Sequence, residues 1–265
     1  MLKVVVCVKA VPDPKDADKI RIDPKTKALT RVDIPLVLNP NDKYALETAL
    51  QLKEDDGASI TVLSMGPPPA AKIVRECMAL GADEGILLTD PAFSGADAYA
   101  TAFTLATAIR KLGHIDLILC GMASSDGSTE WVGPELAAIL GVPVVTRIKE
   151  VVSRTAESWT LKADIENGYR QVRVQLPAVL TVTRDLNVPR SLSFSGVVKA
   201  GQMEIIIWDV EALDLLAENV GLRGSPSLVS EMFTQESRRE VNFLTGTREE
   251  MADQLVQKLA EAGVI

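Results

Sequence analysis

Along the first 185 positions, apolar residues fall into two alternating patterns. Short β-branched runs occupy 3–8, 59–65, 85–89, 116–120, 142–146 and 178–183. They lack polar alternation, so both faces of each strand need cover, as in a parallel sheet flanked by helices. Between them lie stretches with helical spacing. Residues 42–54 repeat Ala45, Leu46, Ala49 and Leu50; 70–80 repeat Ile73, Val74, Cys77 and Leu80; 98–112 repeat Ala102, Leu105, Ala106 and Ile109. A fourth, 135–140, follows Gly133-Pro134. Gly57, Gly81, Gly113 and Gly141 stand just past these stretches, where a helix stops most easily. The predicted class is α/β, a doubly wound, mostly parallel, Rossmann-like sheet.

Two insertions interrupt the alternation. Residues 19–34 read as a polar hairpin around Pro24-Lys25-Thr26, and 147–176 as a second hairpin or meander turning at Asn167-Gly168. Past Leu186 the pattern changes. Residues 187–201 are rich in Ser and Pro and read as loop, 204–208 as one short strand, and 209–247 as irregular chain. Thr247 to Glu250 forms a capping box, and Met251, Leu255, Leu259 and Ala262 draw one apolar stripe behind it. The expected division is a nucleotide-binding unit over 1–186, then 187–265 as an arm plus terminal helix docked on a partner.

Charge and rare residues narrow the function classes. With 28 basic and 36 acidic residues the net charge is −8, which argues against a nucleic-acid partner. No run approaches the roughly 18 apolar residues of a membrane span. The apolar run Val4–Val8 is too short for a signal-peptide core, and a buried strand fits it better. Three widely spaced cysteines, Cys7, Cys77 and Cys120, make neither a disulfide framework nor a zinc pattern, and point to a reducing, cytoplasmic setting. A single histidine, His114, leaves little room for His-based catalysis or metal binding. No metal ligand is expected.

In a doubly wound sheet, ligands bind beyond the carboxyl ends of the strands. Gly121–Pro134 offers small residues, hydroxyls and a following helix start, which suits a pyrophosphate. Asp126 would cap that loop or accept a ligand hydroxyl. Met65-Gly66 allows close backbone approach before three prolines. Asn41 or Asp42 is a candidate N-cap, and Asp97 another. Walker A, Gly-x-Gly-x-x-Gly after the first strand and Ser-Gly-Gly-x-Asp are all missing.

The runs Val8–Asp13, Asn39–Asp42, Met78–Asp83, Gly121–Pro134, Leu186–Arg190 and Gly224–Pro226 together resemble the β subunit of electron-transfer flavoproteins, over nearly the whole chain. The resemblance implies a heterodimer with an α subunit that carries FAD. It implies an adenine-nucleotide site drawn from Cys7, Asn39, Asp42, Ser64, Met65, Gly66, Asp126, Gly127, Ser128, Thr129, Val132 and Gly133. That site takes AMP in one branch and a second FAD in another. The loop Asp126-Gly127-Ser128-Thr129-Glu130-Trp131-Val132-Gly133-Pro134 is similar to the two-FAD pattern Asp-Gly-Asp-Thr-Ala-Gln-Val-Gly-Pro. Gly95–Thr101 is similar to that branch's Gly-Ala-Asp-Thr-x-Ala-Thr, which adds Asp97 and Thr101 to the cofactor contacts. Ser128, Trp131 and Ala98 depart from the pattern.

For the two-FAD branch, the resemblance implies flavin-based electron bifurcation. Electrons pass between NAD(H), a ferredoxin and an acyl-CoA-type or related dehydrogenase. The alternative is a non-bifurcating β subunit with structural AMP. A stand-alone adenine-nucleotide sensor is a third reading, but it needs neither arm nor capped terminal helix. Residues 183–199 correspond to the family's recognition loop, which makes Arg190, Leu192 and Phe194 the expected dehydrogenase contacts.

Overall fold

A computed structural model describes residues 1–19, 21–22, 29–30, 34–230, 241 and 243–265. The first strand, β1 (Lys3–Val8), continues through β2 (Ala10–Pro12), β3 (Arg21–Ile22), β4 (Leu29–Thr30) and β5 (Leu36–Leu38) into helix α1 (Pro40–Asp56). Then follow β6 (Ser59–Met65), α2 (Ala71–Leu80), β7 (Glu84–Leu88), α3 (Ala98–Leu112), β8 (Leu117–Gly121) and α4 (Val132–Leu140). Next come β9 (Val144–Arg154), β10 (Ser158–Ile165), β11 (Gly168–Gln175), β12 (Ala178–Val182), α5 (Phe194–Gly201), β13 (Ile206–Trp208) and α6 (Arg248–Glu261).

Nine strands form one sheet in the order β11-β10-β9-β12-β8-β1-β6-β7-β13. The seven from β9 to β13 run parallel, and β10 and β11 extend one edge as an antiparallel meander. The α/β class expected from the sequence is the observed one. Its physical basis is visible in β1, where Val4, Val6 and Val8 face the layer of α1 and α2 while Val5 and Cys7 face that of α3 and α4. Both layers are built of buried apolar side chains, which is why the strand runs carry no polar alternation.

The expected insertions are strands. β3 pairs with β4, while the turn expected at Pro24-Lys25-Thr26 lies outside the described residues. The second insertion is longer than its pattern. β9 runs on to Arg154, with register shifts against β10 and β12. Its outer half faces solvent on one side, so the apolar signal of 142–146 fades before the strand ends.

One reading of the segment after Leu186 changes. Residues 194–201 form helix α5 rather than loop. Ser193 supplies the cap, its Oγ accepting from Gly196 N–H at 3.0 Å. A Cβ on Gly196 would lie 2.2 Å from the Ala79 carbonyl oxygen, so α5 rests directly on α2. The short strand β13 hydrogen-bonds to β7 and lengthens the sheet. Contacts divide the chain into Met1–Ser230 and Glu231–Ile265. The first unit runs past residue 186 because α5 and β13 belong to its layers. In the second, α6 begins with the expected capping box of Thr247 and Glu250. Among the described residues no helix is long and apolar enough to cross a membrane.

Candidate functional site

After β1 the chain fills β6 and β7 on one side, then crosses to β8 on the other. The strand order therefore reverses between β1 and β8, and the crevice beyond their carboxyl ends is the place for a ligand. A buried polar frame stands there. Asn39 precedes α1, whose first residue is Pro40, and its side chain does not cap that helix. Its amide instead donates to Asp42 Oδ1 (2.8 Å) and the Ala123 carbonyl (3.0 Å), and its Oδ1 accepts from Ser125 N–H (3.1 Å). Asn41 adds a donor to the same Ala123 carbonyl at 2.7 Å.

Asp42 is not an N-cap. It lies inside the first turn of α1, buried, and accepts from Lys9 N–H at 2.8 Å and from Gly121 N–H. Burial raises its carboxyl to about 7, against the opposing pull of Asn39, the two N–H groups and the Lys9 charge. The carboxyl thus joins the ends of β1 and β8. Gly121 is required at this joint, because a Cβ there would lie 2.4 Å from Asp42 Oδ1 and 2.7 Å from the Asn41 carbonyl carbon.

The loop after β8 turns on Ser124. Its carbonyl accepts from Ser128 N–H (2.9 Å) and Ser128 Oγ (3.2 Å), and its Oγ accepts from Gly127 N–H (3.3 Å). Ser128 and Glu130 hold left-handed backbones at φ 51° and 60°. Lys9 Nζ reaches across from β1 to Asp126 Oδ1 at 2.6 Å. Glu130 meets Arg147 at 3.4 Å, and Arg147 N–H is held by Thr181 Oγ1 at 3.0 Å. Thr129 Oγ1 accepts from Trp131 N–H at 3.4 Å. The loop then enters α4, which has no side-chain cap. The first N–H groups of such a helix lack intrahelical partners and favour an anion. Gly133 lets α4 sit on β12, since a Cβ there would lie 2.4 Å from Thr181 Cγ2.

Other expected site residues border this crevice. Cys7 sits beside Cys120 in register across β1 and β8, and Ser64 beside Val8 across β1 and β6. The Ser64 hydroxyl is fully buried with no hydrogen-bond partner among the described residues. Met65 and Gly66 follow it, and a Cβ on Gly66 would press on Ala70 at 3.1 Å. The uncapped helix start, the orphaned Ser64 hydroxyl and the close backbone approach at two glycines fit an adenine nucleotide's phosphate and sugar.

Asp97 and Thr101 stand at the start of α3, the helix packed beside α4. Asp97 caps that helix through Ala100 N–H (2.9 Å), and its second oxygen takes Ser227 N–H (3.0 Å) and Ser227 Oγ (2.6 Å). Burial pushes this carboxyl up, but those bonds outweigh it and hold it below the usual range. Asp97 is therefore a fastener for the 225–227 segment. Arg190 is likewise engaged within the chain. It forks onto Glu47 at 2.9 and 3.0 Å and onto Glu54 at 2.6 and 3.1 Å, fixing the segment before α5 against α1. Leu192 and Phe194 remain exposed, Phe194 at 87%. Lys9 and Arg147 were not singled out as site residues, and their partners lie far away in sequence. Asn41, Ser124 and Glu130 stand inside the Asn39–Asp42 and Gly121–Pro134 runs that the sequence had marked, which did not show their individual contacts.

Residues 26–213 match the family model described as Electron transfer flavoprotein domain. The chain is 40% identical to the caffeyl-CoA reductase-Etf complex subunit CarD of Acetobacterium woodii over 266 residues, covering 100% of both chains. It is 41% identical to the electron transfer flavoprotein subunit beta of Clostridium acetobutylicum, covering 98% of each. It is 35% identical to the acryloyl-CoA reductase electron transfer subunit gamma of Anaerotignum propionicum over 100% of both. With a family match across most of its sheet and end-to-end identity to such subunits, the chain belongs to the electron transfer flavoprotein family, as a β subunit.

Proposed function

We propose that this β subunit holds FAD at the crevice between β1 and β8 and, with an α subunit, takes part in flavin-based electron bifurcation. The observation that carries the reading is the 126–134 segment. Its sequence is similar to the two-FAD pattern, and it delivers a small-residue loop to the uncapped start of α4. The pyrophosphate would lie on the first N–H groups of α4. Asn39, Asp42 and Ser64 would frame the adenosine, and Asp126 to Thr129 would close over it. Cys7, Met65, Gly66, Val132 and Gly133 would line the floor. The relatives named for caffeyl-CoA reductase and acryloyl-CoA reductase complexes support a role beside an acyl-CoA-type dehydrogenase.

Bound FAD supplies the hydride and single-electron chemistry, with NAD(H) as transient substrate and ferredoxin as a second electron partner. The chain's own groups bind, orient and exclude water. Leu192 and Phe194 form the exposed apolar contact for the dehydrogenase, and Arg190 sets the segment that carries them. On this reading 1–186 holds the nucleotide, 187–265 engages partners, and the complex is cytoplasmic.

The test is stoichiometry. The chain is purified with its α subunit, and released FAD and AMP are counted per heterodimer. Two FAD and no AMP are expected, with rapid flavin reduction by NADH. One FAD and one AMP would overturn the proposal in favour of the non-bifurcating reading. Ser128, Ala98 and the 63%-exposed Trp131 each replace a residue of the two-FAD pattern, without restoring the AMP-branch pattern.

A further inference from the structure

Glu135 lies in the first turn of α4, directly behind the nucleotide loop. An acidic residue there ordinarily faces solvent and gains from the helix dipole. This one is half-buried, and its Oε2 is shielded from solvent with no hydrogen-bond partner among the described residues. Such an atom costs about 1–3 kcal/mol and calls for an explanation. Its environment offers little relief. Both oxygens of the nearby Asp97 are committed to Ala100 and Ser227. Burial and the Asp97 charge together push the Glu135 carboxyl up, opposite to what a helix start alone would do. The same two helix starts present exposed aromatics, Tyr99 on α3 and Trp131 before α4.

We infer that Glu135 is a specificity residue that accepts a hydrogen bond from the part of FAD that AMP lacks. The donors there are the ribityl hydroxyls and the imide N–H of the ring. The inference rests on the proposed FAD site. A ligand anchored by its pyrophosphate at the start of α4 places its remaining half next to the first turn of that helix. An AMP ends at the phosphate and leaves Glu135 unsatisfied. Asp97, which the resemblance adds to the cofactor contacts, already accepts from Ala100 and Ser227, whereas Glu135 Oε2 has no partner among the described residues.

The test compares nucleotide affinities of the apo heterodimer carrying Glu135→Leu or Glu135→Gln with those of the wild type. In Glu135→Leu, FAD affinity at the β site is expected to fall about tenfold, the loss of one buried hydrogen bond, while AMP affinity is unchanged. Glu135→Gln keeps a carbonyl acceptor and is expected to lose threefold or less. AMP binding doubles as the folding control. If Glu135→Leu fails to assemble, Glu135→Met, close in length and without an acceptor, carries the same comparison. FAD affinity unchanged in the apolar variants, or FAD and AMP affinity falling in parallel, would overturn the inference. A wild-type heterodimer that takes AMP and no second FAD would instead overturn the proposed function, and it is recognised before any variant is made.

Discussion

Asp42 and Gly121 carry the most consequence for their size. The folded Asp42 carboxyl keeps its proton up to about 7, against a reference value of 3.8. Between these values the folded chain binds more protons than the unfolded one, so stability falls as pH rises through that window. The full effect is roughly 4 kcal/mol. Urea denaturation from pH 4 to 8 should show that slope in the wild type and a flattened one in Asp42→Asn; equal slopes would refute the assignment. Gly121→Ala tests the same joint from the other strand. Its methyl meets Asp42 Oδ1 and the Asn41 backbone, an overpacking expected to cost about 1–3 kcal/mol and to weaken adenine-nucleotide binding. The sequence marked Asp42 as a candidate cap and, through the resemblance, as a nucleotide-site residue, but nothing in its local pattern shows that Lys9 and Gly121 share its carboxylate.

At the scale of elements, local signals were read well where they were local. Helix periods, glycine stops and the Thr247 capping box all appear where the pattern put them. Thr247→Ala should lower the stability of α6 by about 1 kcal/mol, seen as faster amide exchange in its first turn. Helix α5 was missed because Ser191, Ser193 and Ser195 read as loop, and only Ser193 acts as a cap. The segment before it is held by Arg190, whose partners on α1 are over 130 residues away. Removing Arg190 strands the buried Glu47 carboxylate. Arg190→Ala should cost about 2–3 kcal/mol in denaturation, below the 3–5 of a fully buried pair because the guanidinium is about a third exposed.

For the whole molecule, the sheet order places the site. Only the jump from β7 to β8 across β1 makes one crevice of Lys9, Asn39 and the 124–131 loop. The exposed Phe194 gives this scale its own prediction. Phe194→Ala should weaken binding to the partner dehydrogenase by about 2 kcal/mol in titration calorimetry while leaving bound nucleotide unchanged. A parallel loss of nucleotide would mean that Phe194 supports the fold instead.

By itself the sequence determined the class of fold, the helices other than α5, the candidate phosphate loop and the family runs that led to an electron-transfer subunit. These rest on short-range periodicity, turn chemistry and residue type, all carried by neighbours in the chain. Tertiary structure alone decided that Asp42 is a buried joint, that Asp97 and Arg190 are committed within the fold, that β13 completes the sheet and that Glu135 keeps an unused acceptor. The physical reason is the same each time. Burial and hydrogen-bond satisfaction depend on groups that meet only after the chain has crossed the sheet, and no local pattern encodes whether a polar atom will find a partner there.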